Sequence, residues 1–163
     1  MYGEIFQKIK PILSDTPRLV GIDGSAKMSK SLDNGIFLSD SYDEISKKVM
    51  EMYTDPKHIH VEDKGKVEGN VVFTYLDIFD ENKKEIAQLK KQYKKGGLGD
   101  VVIKKRLIEV LEKFIAPIRT KREGFSKNPD EVMKILEEGT KRAREIAKET
   151  MLKVRKAVKI DYF

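Results

Sequence analysis

Val71-Val72-Phe73-Thr74-Tyr75-Leu76-Asp77-Ile78-Phe79 is the stretch whose reading decides between a mainly helical chain and a mixed one. The run is apolar almost all round and reads as a short buried helix. Its β-branched and aromatic residues keep a strand open at this point. The segments that follow it are helical. Residues 81–95 form a charged helix with Ile86, Leu89 and Tyr93 inward. Gly96-Gly97-Leu98-Gly99 breaks that helix, and Asp100 is placed to cap the next. From there Ile103, Leu107, Val110, Leu111, Phe114 and Ile118 hold a helical period, with a kink expected at Pro117. The last helix starts with Asn128 as N-cap, Pro129 in the first turn, and Asp130 and Glu131 against the positive helix end. It is expected to run to about Lys159. Val132, Leu136, Gly139, Ala143, Ile146, Ala147, Val154 and Ala157 mark its inner face.

Upstream of residue 71 the pattern changes. Residues 55–70 are a polar connection. Before it, Ser41 and Glu44 have capping-box spacing, and Ile45, Val49 and Met52 make a helical stripe ending near Thr54-Asp55-Pro56. Residues 24–35 read as a polar loop rich in Gly and Ser. Arg18-Leu19-Val20-Gly21-Ile22 is a brief extended run, and residues 1–14 a short helix ending near Pro11. A single strand leaves its backbone hydrogen bonds without a sheet partner. The expected architecture is therefore a helical bundle preceded by the edge of another domain, as though the chain began mid-domain.

Composition narrows the function classes. Charged residues make up 37% of the 163 and hydrophobic residues 39%. No apolar run approaches the roughly 18 residues of a membrane span. The N-terminus lacks the pattern of a signal peptide. Without cysteine there are no disulfides and no thiolate metal ligands. The net charge of +6 is unevenly spread: residues 1–80 hold 10 Lys/Arg against 14 Asp/Glu, and residues 81–163 hold 23 against 13. The second half is a candidate polyanion-binding surface, with a solvated helical surface as the alternative.

The stretch that carries chemistry is Lys27-Met28-Ser29-Lys30-Ser31. Two lysines three apart in a loop of small residues suit a triphosphate. Ammonium groups neutralise the charge that develops as pyrophosphate leaves, while backbone N–H groups and hydroxyls donate to the same oxygens. Such a loop closes on its nucleotide and opens for release. The attacking group would belong to a substrate, so no nucleophilic side chain is required.

Other candidates carry less. His58 and His60 lie near Glu62 and Asp63, but read as exposed loop histidines rather than metal ligands. The glycines at 96–99 lack the Lys-Ser/Thr of a P-loop. Among the tyrosines, Tyr75 reads as core. Tyr93, beside Lys90, Lys91, Lys94 and Lys95, reads as a platform for a splayed base. Lys104-Lys105-Arg106 and the basic residues Lys141, Arg142, Arg144, Lys148, Arg155 and Lys156 are candidate phosphate contacts.

The blocks around the pentapeptide resemble the tryptophanyl-tRNA synthetases. They are Val20–Ala26, Leu32–Asp40, Tyr53–Pro56, Val72–Phe79, Gly97–Asp100, Ala116–Arg119 and Gly139–Ala147, in the family's order over nearly the whole chain. Tyrosyl-tRNA synthetases are the near relatives. The resemblance implies a class I aminoacyl-tRNA synthetase that activates tryptophan with Mg2+-ATP and charges tRNA(Trp) in the cytoplasm. It implies a mainly α fold: residues 1–40 as the remnant edge of a Rossmann-type α/β catalytic domain, and residues 41–163 as the helical anticodon-binding domain. Lys27 and Lys30 would act on the leaving pyrophosphate. Met28 and Leu19 would lie by the adenine, and Ser29 and Ser31 would complete the nucleotide site. The family is homodimeric. One departure is large: the histidine motif of the family's first crossover is absent, since His58-Ile59-His60-Val61 does not match it. With the tryptophan pocket also missing, the expectation is a C-terminal part that is inactive alone. The rival expectations are a free-standing tRNA-binding or regulatory module and the tyrosyl relative.

Overall fold

A computed structural model of the chain describes residues 5–6, 8–16, 18–24, 27–160 and 162. Among them the architecture is mainly helical: a 3-10 turn at Lys30–Leu32 and five α-helices, α1 (Tyr42–Met50), α2 (Val71–Phe79), α3 (Lys83–Lys95), α4 (Asp100–Ser126) and α5 (Pro129–Ala157). The chain divides into two compact units. One comprises residues 14–122, and the other residues 123–163 with 1–13.

In the 14–122 unit, Val71–Phe79 resolves as a helix. Asn70 caps it, its side-chain oxygen accepting from the Val72 and Phe73 N–H groups at 3.0 and 3.3 Å. Capping satisfies two of the free donors at the helix start, which offsets the modest helix propensity of Val71-Val72-Phe73. Val71, Val72, Phe73, Tyr75 and Leu76 are all buried. They pack with Ile45, Val49 and Met52, with Ile86 and Tyr93 of α3, and with Ile103, Leu107, Ile108, Leu111 and Ile115 of α4.

The capping box at Ser41 forms as expected, with the Ser41 side chain accepting from Glu44 N and the Glu44 carboxylate accepting from Ser41 N. α1 ends at Met50, earlier than the Thr54-Asp55-Pro56 signal. Its last carbonyl is met instead by Lys104 of α4, whose ammonium donates to Met50 O at 2.8 Å. Lys104 is thus buried and does not belong to a phosphate-binding surface. Arg106 is also engaged, pairing with Asp80 at 2.7 Å and with Glu85. Of that basic triplet only Lys105 is exposed without an internal role of this kind.

The phase of α4 differs from the expected stripe. Ile108 and Ile115 are buried, whereas Phe114 is exposed and Val110 only partly covered. α4 also continues nine residues past Pro117. Tyr93 lies fully inside the core, as its inward spacing on α3 implied, edge-on to Phe73 with ring centroids 5.2 Å apart, so it offers no face to a base. His58 is likewise buried, against expectation. Its ring lies 4.5 Å from Tyr93 and its Nδ1 3.6 Å from the Asp100 carboxylate, while His60 remains exposed. Asp100, expected to cap α4, is instead its first residue, and its carboxylate accepts from the side chains of Tyr93 (Oη, 2.7 Å) and Thr54 (Oγ1, 3.0 Å).

In the other unit, residues 8–13 are exposed and carry no helix, so the short helix expected there does not form over the described residues. Residues 1–4 and 7 of that expectation lie outside them. α5 begins as expected, with Asn128 as N-cap and Pro129 in the first turn. Its apolar residues recur with helical period, yet none of its residues is buried: Leu136 is 57% and Ile146 68% exposed.

Candidate functional site

The Lys27–Ser31 loop grows from the 18–22 run. That run, expected as a strand lacking a partner, pairs instead with the start of the loop itself. Val20 and Lys27 form an isolated antiparallel bridge, and Met28 N donates to Leu19 O at 3.3 Å. Ser25 and Ala26, between these two limbs, lie outside the described residues. Leu19, Val20, Ile22 and Met28 are apolar enough to pack on the main core, which fixes the base of the loop while leaving its polar residues outward.

The return limb is held as well. Ile22 N donates to Asn34 O at 2.9 Å, and Tyr53 N donates to Ile22 O at 2.9 Å. These bonds join the loop base to the segment between α1 and α2. Tyr75 of α2 adds a side-chain tie: its hydroxyl donates to Val20 O at 2.7 Å. Burial pushes the Tyr75 hydroxyl pKa upward, with Asp23 contributing, so the group stays a neutral donor.

At the crest, Ser29 precedes the 3-10 turn Lys30–Leu32, which closes with Asp33 in the left-handed region at φ 50 and Asp33 N donating to Lys30 O at 3.2 Å. The Ser29 and Ser31 hydroxyls stand 2.9 Å apart. Lys27, Lys30 and Ser31 are exposed, and Met28 and Ser29 are half-buried. Six residues marked in the sequence, Leu19, Lys27, Met28, Ser29, Lys30 and Ser31, therefore share one loop and its supporting limb. Lys30 also lines an open groove of about 630 Å3 with Phe37, Ser39 and Arg122. Two neutral donors and two flexible cations on one exposed loop suit an anionic ligand with several oxygens.

Sequence reading passed over three residues of this site. Asn34 is buried beneath the loop, Gly21 lies against it, and Arg122 comes from α4. Asn34 falls within the quoted block Leu32–Asp40, but its role depends on contacts that spacing does not reveal.

Residues 2–116 match the family model described as tRNA synthetases class I (W and Y). The chain belongs to this family of class I tRNA synthetases. It is 55% identical over 148 residues to the tryptophan–tRNA ligase of Streptococcus mutans, covering 90% of this chain and 44% of that protein. With the tryptophan–tRNA ligase of Streptococcus pneumoniae serotype 4 it shares 53% identity over 148 residues, covering 43% of that protein. Its fold is similar to the tryptophanyl-tRNA synthetase of Campylobacter jejuni solved with ADP and tryptophan. That match has a TM-score of 0.76 at 29% identity over 96% of this chain and 48% of that one. The chain thus spans less than half the length of these relatives.

Proposed function

We propose that this chain provides the ATP loop and tRNA-binding helices of a tryptophan–tRNA ligase. In this reading residues 1–40 carry the edge of the catalytic domain and residues 41–163 the helical domain that recognises tRNA(Trp). ATP arrives as its Mg2+ complex. Lys27 and Lys30 neutralise the pyrophosphate as the tryptophan carboxylate attacks the α-phosphorus. Ser29 and Ser31 donate to phosphate oxygens, and Leu19 and Met28 flank the adenine. The remainder of the enzyme would supply the histidine motif and the tryptophan pocket, so this chain alone is expected to be inactive. A homodimer and a cytoplasmic location follow from the same reading. Among the described residues no helix is long and apolar enough to cross a membrane.

The observation that carries the proposal is the exposure of both lysines, Lys27 where the loop leaves its paired limb and Lys30 at its crest, on a loop whose base is fixed to the core. Similarity to tryptophan–tRNA ligases supports the choice of amino acid, and the ADP and tryptophan in the Campylobacter relative support the choice of nucleotide. The excess of 23 Lys/Arg over 13 Asp/Glu in residues 81–163 supports contact with a polyanion.

A chimera tests it. This chain replaces the matching segment of the Streptococcus mutans ligase, and tryptophan-dependent ATP–pyrophosphate exchange is measured. The chimera is expected to be active and the isolated chain inactive. Lys30→Ala in the chimera should slow adenylate formation about 100-fold, the scale of losing one oxyanion donor, with little change in tryptophan affinity. Equal losses in both would remove the transition-state role. A folded but inactive chimera, or robust exchange by the isolated chain, would overturn the reading.

A further inference from the structure

We infer that Asn34 is the positioning residue of the Lys27–Ser31 loop, presetting the backbone from which Lys27 and Lys30 project. This rests on the proposed ATP-loop reading for its consequence, though not for its geometry. The Asn34 side chain is 4% exposed and lies beneath the loop. Its Oδ1 accepts from Ser29 N at 2.8 Å. Its Nδ2 donates to Asp23 Oδ2 at 3.1 Å and to Lys27 O at 3.4 Å. All three partners agree on the amide orientation, because an N–H needs an acceptor and a carboxylate and a carbonyl need donors. Turning the amide over would fail at each of them.

The two backbone groups held are the ones that matter for the lysines. Lys27 O lies just before Met28 and Ser29 N just after it, so one side chain spans the turn that separates the two cations. Ser29 also immediately precedes the 3-10 turn that carries Lys30. Fixing these groups in the free protein lowers the ordering cost of binding.

The surroundings are shaped for this amide. A Cβ on Gly21 would lie 2.2 Å from Asn34 Nδ2, and one on Gly35 would lie 2.9 Å from Met28 Cγ. No other side chain reproduces the set. Aspartate would place a second carboxylate against Asp23, and alanine would leave the Ser29 N–H without its acceptor.

The test uses this chain and measures amide hydrogen exchange, by NMR, at Ser29 and at core positions in α2. Asn34→Ala is expected to speed Ser29 exchange at least tenfold with α2 unchanged and, in the chimera with the Streptococcus mutans ligase, to reduce the protection that Mg2+-ATP gives residues 27–31. Asn34→Asp keeps the acceptor for Ser29 N but sets a carboxylate oxygen against Asp23 and Lys27 O, so it should speed Ser29 exchange by less than alanine does. Combining it with Asp23→Asn exchanges donor and acceptor across the 3.1 Å contact, leaves the Lys27 carbonyl without its donor, and should restore part of the Ser29 protection. An unchanged Ser29 rate in Asn34→Ala, or an equal rise throughout α2, overturns the positioning role. Failure of the exchanged pair to recover protection counts against it too. If Mg2+-ATP protects nothing in the chimera while Asn34→Ala still frees Ser29, the nucleotide reading falls and the positioning role stands.

Discussion

The Tyr75 hydroxyl donates to the Val20 carbonyl at 2.7 Å, joining residues 55 apart in sequence. One bond thereby connects the buried α2 helix to the limb from which the Lys27–Ser31 loop leaves. Tyr75→Phe keeps the ring in the core and removes only this tie. It is expected to cost about 1 kcal/mol, the usual net worth of one hydrogen bond, measured by urea denaturation. The effect should concentrate at the loop, with faster exchange of Met28 N–H, which pairs with Leu19 beside Val20. A uniform loss of protection across α2 would contradict this placement.

Gly21→Ala introduces a Cβ that would sit 2.2 Å from Asn34 Nδ2 and 2.8 Å from Asp23 Oδ1. Neither neighbour can yield without breaking its hydrogen bond. The expected loss is about 1–3 kcal/mol, as for other overpacked sites. In an Asn34→Ala background the space is free, so the same substitution should cost much less. A double-mutant cycle measures that coupling, and simple additivity would show that the two residues do not interact.

Arg106 holds the buried Asp80 carboxylate at 2.7 Å. Burial alone would raise the Asp80 pKa. The Arg106 hydrogen bond and charge, with the Asn82 N–H, outweigh it and hold the carboxyl below its usual range. Since the folded pKa lies below the unfolded one, this stabilisation is complete above the unfolded value near 3.8 and is lost as pH falls through the folded value. Arg106→Met orphans Asp80 and is expected to cost about 2–3 kcal/mol at pH 7, a discounted buried-pair value because Arg106 is partly exposed. Below pH 5 the variant should lose less stability than the wild type, because its buried carboxyl now gains by taking a proton. Parallel acid titrations of the two proteins by circular dichroism check the sign.

Lys104 runs the opposite way. Burial lowers its pKa from 10.5, with the Asp100 charge partly opposing the shift. The unfolded chain therefore holds the proton to higher pH than the folded one, and stability rises with pH between the folded value and 10.5. Lys104→Met removes that rise. Tyr75 and Tyr93, whose hydroxyl pKa values burial pushes up, are common to both proteins and cancel in the difference. The stability of wild type minus variant, from urea denaturation at pH 7 to 10, should increase with pH. A flat difference would show that Lys104 is not desolvated.

Local rules settled much of this molecule before any contact was known. Ser41 with Glu44 determined where α1 begins, because a capping box acts within one turn of chain, and Pro129 marked the first turn of α5, where its fixed φ suits the helix and its missing N–H costs nothing. The helical period of Ile45, Val49 and Met52 named a buried face correctly. The Lys27–Ser31 pentapeptide and the blocks around it were enough to indicate the family that the comparisons then supported.

Only the tertiary structure decided what each side chain meets. The period of α5 marks an apolar face but says nothing of a partner, and none of its residues is buried. Lys104 looks like a surface residue beside Lys105 and Arg106, yet it is buried because α4 turns it toward the core, and Tyr93, inward by its spacing, is covered so fully that no face is left for stacking. His58 packs against Tyr93 from within a polar connection that has no local signature of burial. The pentapeptide identifies Lys27 and Lys30, whereas their support comes from Asn34, Gly21 and Tyr75, which reach the loop only through the folded chain. Capping and periodicity act over a few residues and can be read in order; packing and hydrogen bonds between distant residues exist only once the chain has folded.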